Sequence, residues 1–258
     1  MSSDITATPD ASTARLGWRV ATVVHVHRET PTAHTLVLDV PRWPGHRAGQ
    51  HVDVRLVSED GYQAQRSYSI SSAPEDGMVA LTVERLDDGE VSPYLCDVLR
   101  SGDGLEIRGP IGGYFAWDVA MGGRLLLVAG GSGIAPLMAM LRHRARSAPE
   151  RRAQVPVRLL YSARTLKDVI YRDELQRIAD SPDVEVIFTL TRRLPPGWSG
   201  FSRRIDRRML EAVSWPASAA PRAFVCGPTA LVESVANHLV ELGHSPSRVK
   251  TERFGPSG

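Results

Sequence analysis

Near residue 120 the hydrophobic rhythm of the chain changes, and that change limits the possible folds more than any other feature. Before it, apolar residues recur at every second position. Val52, Val54 and Leu56 alternate with Asp53, Arg55 and Val57. Val79, Leu81 and Val83 alternate with Ala80, Thr82 and Glu84, and Leu105 and Ile107 with Glu106 and Arg108. A period of two predicts antiparallel strands with one buried face. Residues 20–26 add a β-rich run, and Pro44-Gly45, Asp60-Gly61 and Asp88-Gly89 mark turns. Short strands at this spacing predict a small barrel or sandwich. One helix interrupts them, with Ser92 as its cap, Pro93 in its first turn and Gly102 beyond its end.

After Ala120-Met121-Gly122-Gly123, residues 125–129 form an unbroken apolar run, as in a strand buried on both faces. Extended stretches at 157–161, 184–191, 223–226 and 249–252 then alternate with helical ones, including 168–179, a short Arg-rich helix and 229–242. Strand–helix alternation predicts a parallel sheet covered by helices. Three segments follow: a frayed tail at 1–15, a β-barrel at 16–120 and an α/β domain at 121–258. Residues 147–149 and 214–221 read as loops.

With 42% hydrophobic residues in 258, the chain can fill two cores. Its formal net charge of +2 falls well short of a dedicated nucleic-acid binder. No apolar run nears the roughly 20 residues of a membrane helix. No signal pattern opens the chain, so the expected location is cytoplasmic. The cysteines, Cys96 and Cys226, form no C-x-x-C pair, which argues against a disulfide framework or a thiolate zinc site. Two thiolates also cannot hold a four-cysteine iron–sulfur cluster. The histidines show no metal-ligand spacing, and no metal site is expected.

Gly130-Gly131-Ser132-Gly133-Ile134-Ala135-Pro136 follows the buried strand and opens a helix. Free N–H groups and the helix dipole make such a turn a phosphate site. Glycines let the backbone approach a pyrophosphate, and Pro136 suits a first turn. The alternative is an ordinary tight turn. The usual third glycine is missing. Where NAD sites commonly place an acidic residue, the chain has Arg151 and Arg152. Arg164 ends the second strand, and Thr191 and Arg192 end the third. Hydroxyl and guanidinium groups there suit a 2′-phosphate, which favours NADPH over NADH. The alternative is solvated surface charge, common in so Arg-rich a chain.

In the first half, Arg66-Ser67-Tyr68-Ser69-Ile70 lies on an expected strand, with Arg66 and Tyr68 on one face. An arginine can clamp a pyrophosphate, and a tyrosine can cover an aromatic ring. Together with the glycine turn, this pattern resembles the ferredoxin–NADP reductase family over about residues 18–254. The resemblance implies an antiparallel Greek-key β-barrel that binds FAD, followed by an NADP-binding α/β domain with a five-stranded parallel sheet. It implies that Arg66 holds the FAD diphosphate, Tyr68 packs on the isoalloxazine, and Ser69, with Ile70 beside it, sits near flavin N5. Val83-Glu84-Arg85 resembles the segment beside the ribityl chain. Gly89-Glu90-Val91-Ser92 resembles the Gly-x-x-Ser whose N–H groups meet the diphosphate, and residues 109–112 resemble the turn that ends the barrel.

In the second domain, Gly131, Ser132, Gly133 and Pro136 match the family's NADP diphosphate turn. Thr191 and Arg192 lie where the family reads the 2′-phosphate. Cys226-Gly227-Pro228 matches the turn facing the nicotinamide, and Glu252-Arg253-Phe254 the closing segment beside the flavin. Cys226 either approaches the nicotinamide or is a small buried apolar residue. Glu252 either positions the nicotinamide or relays a proton, or is a surface carboxylate. Many relatives end in an aromatic residue over the flavin, whereas this chain continues through 255–258. That leaves open whether Phe254 or those residues cover the ring.

The resemblance implies hydride transfer from NADPH to FAD, then single electrons to a separate ferredoxin or flavodoxin, an arrangement that can serve an oxygenase. The alternatives are a reductase of free flavin, quinone or ferric chelates, and a flavin-binding subunit without turnover. A monomer is expected, with neither nucleic acid nor membrane as partner.

Overall fold

The computed structural model describes residues 16–254. The tail expected at 1–15 and the last four residues lie outside the described residues. Six strands build the first lobe: β1 (Trp18–Arg28), β2 (Ala33–Asp39), β3 (His51–Val57), β4 (Gln63–Ser69), β5 (Val79–Glu84) and β6 (Gly104–Ile111). Their order is β4-β3-β6-β1-β2-β5, and every pairing is antiparallel. β6 returns across the sheet to lie between β1 and β3, the Greek-key order. A bridge between Ile70 and Leu81 joins the outermost strands and closes the barrel. Val23, Leu36, Val52, Val54, Leu81 and Ile107 fill it, each fully buried.

The second lobe holds β7 (Leu125–Gly130), β8 (Val157–Thr165), β9 (Val184–Arg193), β10 (Arg222–Pro228) and β11 (Val249–Phe254), all parallel, in the order β11-β10-β7-β8-β9. Helices α1 (Ile134–Arg146), α2 (Pro149–Ala153), α3 (Arg172–Ala179), α4 (Arg207–Val213) and α5 (Thr229–Glu241) connect and cover the strands. The apolar run at 125–129 is buried along its whole length, as a central strand requires. No helix among the described residues is long and apolar enough to cross a membrane.

Three local expectations change and one strand was not foreseen, each for a physical reason. The expected capped helix after residue 92 is a π-helix over Tyr94–Val98, and the Ser92 hydroxyl accepts the Leu86 N–H instead. The helix expected from 168 begins at Arg172, because Tyr171 takes a left-handed backbone with φ 59° and separates it from a turn at Leu166–Asp168. Strand β2 lacks clean alternation in sequence, because Ala33 and Thr35 are buried on one face and Leu36 and Leu38 on the other. The supposed solvent face of β5 is also buried at Ala80 and Thr82, and the Thr82 hydroxyl meets Tyr171 of the second lobe.

The lobes share a core at this contact. Ala33, Ala48, Phe115 and Trp117 from the barrel side join the cluster that includes Leu127, Ile134 and Phe224. The rings of Phe115 and Phe224 meet edge to face at 5.2 Å. Trimming a filled barrel position leaves a cavity, so Leu36→Ala should lower the unfolding free energy by about 2–5 kcal/mol in urea titration.

Candidate functional site

Open parallel sheets bind ligands beyond the carboxyl ends of their strands, where the connection order reverses. Here the reversal falls between β7, which leads on to β8 and β9, and β10, which leads to β11. Both glycine turns stand at that point. Gly131 needs its positive φ of 55°. Gly133 has a different constraint: a Cβ there would lie 2.2 Å from the Cys226 carbonyl oxygen. Its missing side chain lets α1 start directly against β10. The Tyr161 hydroxyl donates to the Gly131 carbonyl at 3.0 Å and fixes the turn from below. Ser132 is partly exposed, Pro136 sits in the first turn of α1, and no side chain caps that helix.

The barrel presents its motif to the same seam. Arg66 is exposed on β4 and pairs with Glu90 at 2.8 Å; the Tyr62 hydroxyl donates to the same carboxylate at 2.7 Å. Tyr68 is half-buried against the barrel core, and burial pushes its phenol up. Ser69 is buried, and its hydroxyl has no hydrogen-bond partner among the described residues. Ile70 and Val83 belong to the barrel core. Glu84 reaches toward the other lobe: a Cβ on Gly131 would lie 3.5 Å from its Oε2. Arg85 is held by Asp97 at 2.7 Å and by Asp87. Gly89 has room for no side chain, because a Cβ would come within 2.9 Å of Ser92 Oγ. Val91 is buried beside it.

Cys226 and Glu252 are register neighbours on β10 and β11. Cys226 is fully buried, and burial next to the Glu252 charge holds its thiol well above the usual range. Burial also pushes the Glu252 carboxyl up to about 7. Its Oε2 is buried without a partner among the described residues, and its Oε1 lies 3.9 Å from His51 Nδ1. His51 is a barrel residue whose β-ladder partner is Ser69. Burial lowers its imidazole, which favours the neutral form. His51 has no signal of its own in the sequence; only the pairing of β3 with β4 reveals its place.

Ser69 and Glu252, from different lobes, thus each keep an unpaired buried polar atom and are linked through His51. Leaving such an atom unpaired costs about 1–3 kcal/mol. A planar heterocycle carrying donors and acceptors fits this seam because it supplies the missing partners.

At the far side of the second sheet, Arg164 and Arg192 are exposed at the ends of β8 and β9. Neither has a carboxylate within 4.0 Å among the described residues. The Thr191 hydroxyl donates to the Ala163 carbonyl at 3.3 Å, tying the two strand ends together. Arg203, by contrast, is held by Asp206 at 2.6 Å. Gly227 and Pro228 close β10, with Phe254 opposite Pro228 in register and packed on the second-lobe core.

Residues 20–116 match the oxidoreductase FAD-binding domain family, and residues 127–237 the oxidoreductase NAD-binding domain family. The chain is 33% identical over 262 residues to a glycine betaine monooxygenase reductase subunit of Pseudomonas aeruginosa, covering 100% of this chain and 70% of that one. It is 31% identical over 227 residues to the NADH oxidoreductase HCR of Escherichia coli, covering 88% and 65%. A ferredoxin NADP+ reductase of Neisseria gonorrhoeae superposes with a TM-score of 0.77 at 21% identity, covering 92% and 98%. Fold and matched domains define a two-domain oxidoreductase that uses FAD and a pyridine nucleotide. The chain belongs to the ferredoxin–NADP reductase family.

The raised Glu252 carboxyl has a consequence for stability. It loses its proton near pH 4.5 when unfolded and near 7 when folded, so the folded chain holds an extra proton between those values. Stability from this group is therefore full below about pH 4.5 and falls as pH rises toward 7. Glu252→Gln should raise the Tm more at pH 8 than at pH 5; an equal change at both would place the carboxylate in solvent.

Proposed function

We propose that the chain is an NADPH-dependent FAD reductase that hands single electrons to a separate acceptor protein of ferredoxin or flavodoxin type. The observation that carries this reading is the pair of unpaired polar atoms on Ser69 and Glu252, facing one seam from two nucleotide-binding lobes. Residues 16–120 would hold the flavin and residues 121–258 the nucleotide.

Arg66 would clamp the FAD diphosphate together with the backbone N–H groups of residues 89–92. Glu90 occupies that guanidinium here, so the diphosphate competes with a surface ion pair, which is weak. Tyr68 would pack on the ring, and Ser69 would gain the partner it lacks at the flavin N5 edge. Val83, Glu84 and Arg85 would flank the ribityl chain. When bound, FAD accepts a hydride and releases the electrons one at a time.

On the nucleotide side, Gly131, Ser132, Gly133 and Pro136 would cradle the diphosphate, with Gly227 and Pro228 beside the nicotinamide. Cys226 keeps its proton through the neutral range and presents a small uncharged surface, not a thiolate nucleophile. Glu252, poised near pH 7, can hold or release a proton beside the reacting rings. Holding both rings in one geometry removes much of the entropic barrier. Phe254 would close the pocket from β11.

Arg164, Thr191 and Arg192 support NADPH. NADH is the second reading, supported by the name of the Escherichia coli relative. The glycine betaine monooxygenase relative is named as a reductase subunit, which supports an oxygenase system as the eventual acceptor.

Steady-state kinetics with both nucleotides tests the choice. Arg192→Ala should raise the KM for NADPH about tenfold or more, the loss of a charge-assisted hydrogen bond, and leave that for NADH nearly unchanged. Equal effects on both would remove the case for 2′-phosphate recognition.

A further inference from the structure

We propose that Tyr171 is a positioning residue that sets the nucleotide lobe against the flavin strand β5. The inference rests on the flavoenzyme reading above and adds a residue to it.

Tyr171 is a bulky residue in the left-handed region, φ 59°, directly before α3. Such a conformation is costly and persists where surrounding contacts impose it. Two contacts do so here, one of them braced from behind. Its ring is buried and lies under the Arg142 guanidinium, 4.8 Å from the ring centre. Arg142 is held by both oxygens of Glu174, at 2.8 and 2.6 Å, and donates to the Ser71 carbonyl at 2.7 Å. The Tyr171 hydroxyl meets Thr82 Oγ1 across the lobe boundary. Both barrel partners adjoin the flavin segments: Thr82 precedes Val83-Glu84-Arg85, and Ser71 follows Ser69-Ile70.

That hydroxyl contact joins Tyr171 to a cluster of barrel hydroxyls. The Thr35 hydroxyl donates to Glu29 at 2.8 Å, and the Ser71 hydroxyl donates to the Ala80 carbonyl at 3.1 Å. Each hydroxyl has one proton, so both accept where they meet Thr82, at 2.9 and 3.3 Å. Thr82 has one proton as well, and in its contact with Tyr171 either hydroxyl can donate. Burial raises the Tyr171 phenol and keeps its proton in place. A row of hydroxyls thus runs from α3 into the barrel.

Beside this contact the lobes part. A cleft of about 880 Å³ lies between barrel residues such as Arg28 and Met78 and the α3 residues Asp173 and Arg177, with Tyr171 and Thr35 in its wall. The α1 side of the boundary has its own ties, His143 to Glu75 at 2.6 Å and Arg146 to Asp76 at 2.5 Å. On the α3 side the Tyr171–Thr82 bond and its Arg142 cover hold the lobes. Removing it loosens the α3 side of the boundary while the shared core and the α1 ties hold the lobes together, so the outcome is a change of angle between the lobes rather than separation.

The test compares wild type, Tyr171→Phe, Thr82→Val and the double variant as FAD-reconstituted proteins. The expected result is unchanged FAD content and nucleotide KM, with single-turnover flavin reduction slowed about tenfold or more. Amide exchange over residues 71–76 and 79–84 should rise in the variants, with β7 unchanged. The double variant should be no slower than either single one, since both remove one contact. Should Tyr171→Phe fail to fold, Thr82→Val carries the same expectations. Flavin reduction and exchange at wild-type levels in either single variant, or additive losses in the double, would overturn the proposal. Wild-type flavin that neither NADPH nor NADH bleaches would overturn the flavoenzyme reading itself, and the positioning role with it.

Discussion

One face of strand β5 packs into the barrel through Val79, Leu81 and Val83, and the other, with Ala80 and Thr82 buried, meets the second lobe through Thr82. A strand buried on both faces cannot stay at a barrel surface facing water. Ala33 and Ala48 are likewise completed by the second lobe's core. The lobes are therefore parts of one packed body along this line. Everything at the seam inherits its geometry from that contact, because Val83-Glu84-Arg85 continues β5 and Ser69-Ile70 bridges to it.

On this frame the sheet order places two turns where they face the barrel. The chain visits β7, β8 and β9 and then crosses to β10 and β11, leaving Gly130–Gly133 and Cys226–Pro228 side by side. Their closeness comes from the absence of a side chain on Gly133, not from any attraction between the turns. Desolvation then sets the local chemistry. It keeps the Cys226 thiol protonated, favours a neutral His51 and brings the Glu252 carboxyl near neutrality. A site made this way has few charges of its own and leaves polar atoms waiting for a ligand.

Much of this was legible in the sequence, and the limits follow from what local patterns encode. The apolar run at 125–129 and the glycine turn after it are local signals, and they marked both the central strand and the tight turn into α1. The Arg66–Ser69 motif was readable because its residues are consecutive. The buried second face of β5 was not, since Ala80 and Thr82 look like a solvent face until another lobe covers them. His51 was invisible for a related reason: it reaches Ser69 through strand register and Glu252 through the lobe contact, separations of 18 and 201 residues in this numbering. Tyr171 gave no sign of its left-handed backbone, which contacts from Arg142 and Thr82 impose. Arg203 and Arg192 look alike in sequence, yet only Arg203 has a carboxylate partner.

The central claim is that one flavin nucleotide is gripped from both lobes at once. Amide hydrogen exchange of the apoprotein, measured before and after addition of FAD, tests it most directly. The account predicts new protection in two segments from different lobes, residues 66–70 on the barrel and 249–254 on β11. Protection confined to the barrel, or none at all, would contradict it.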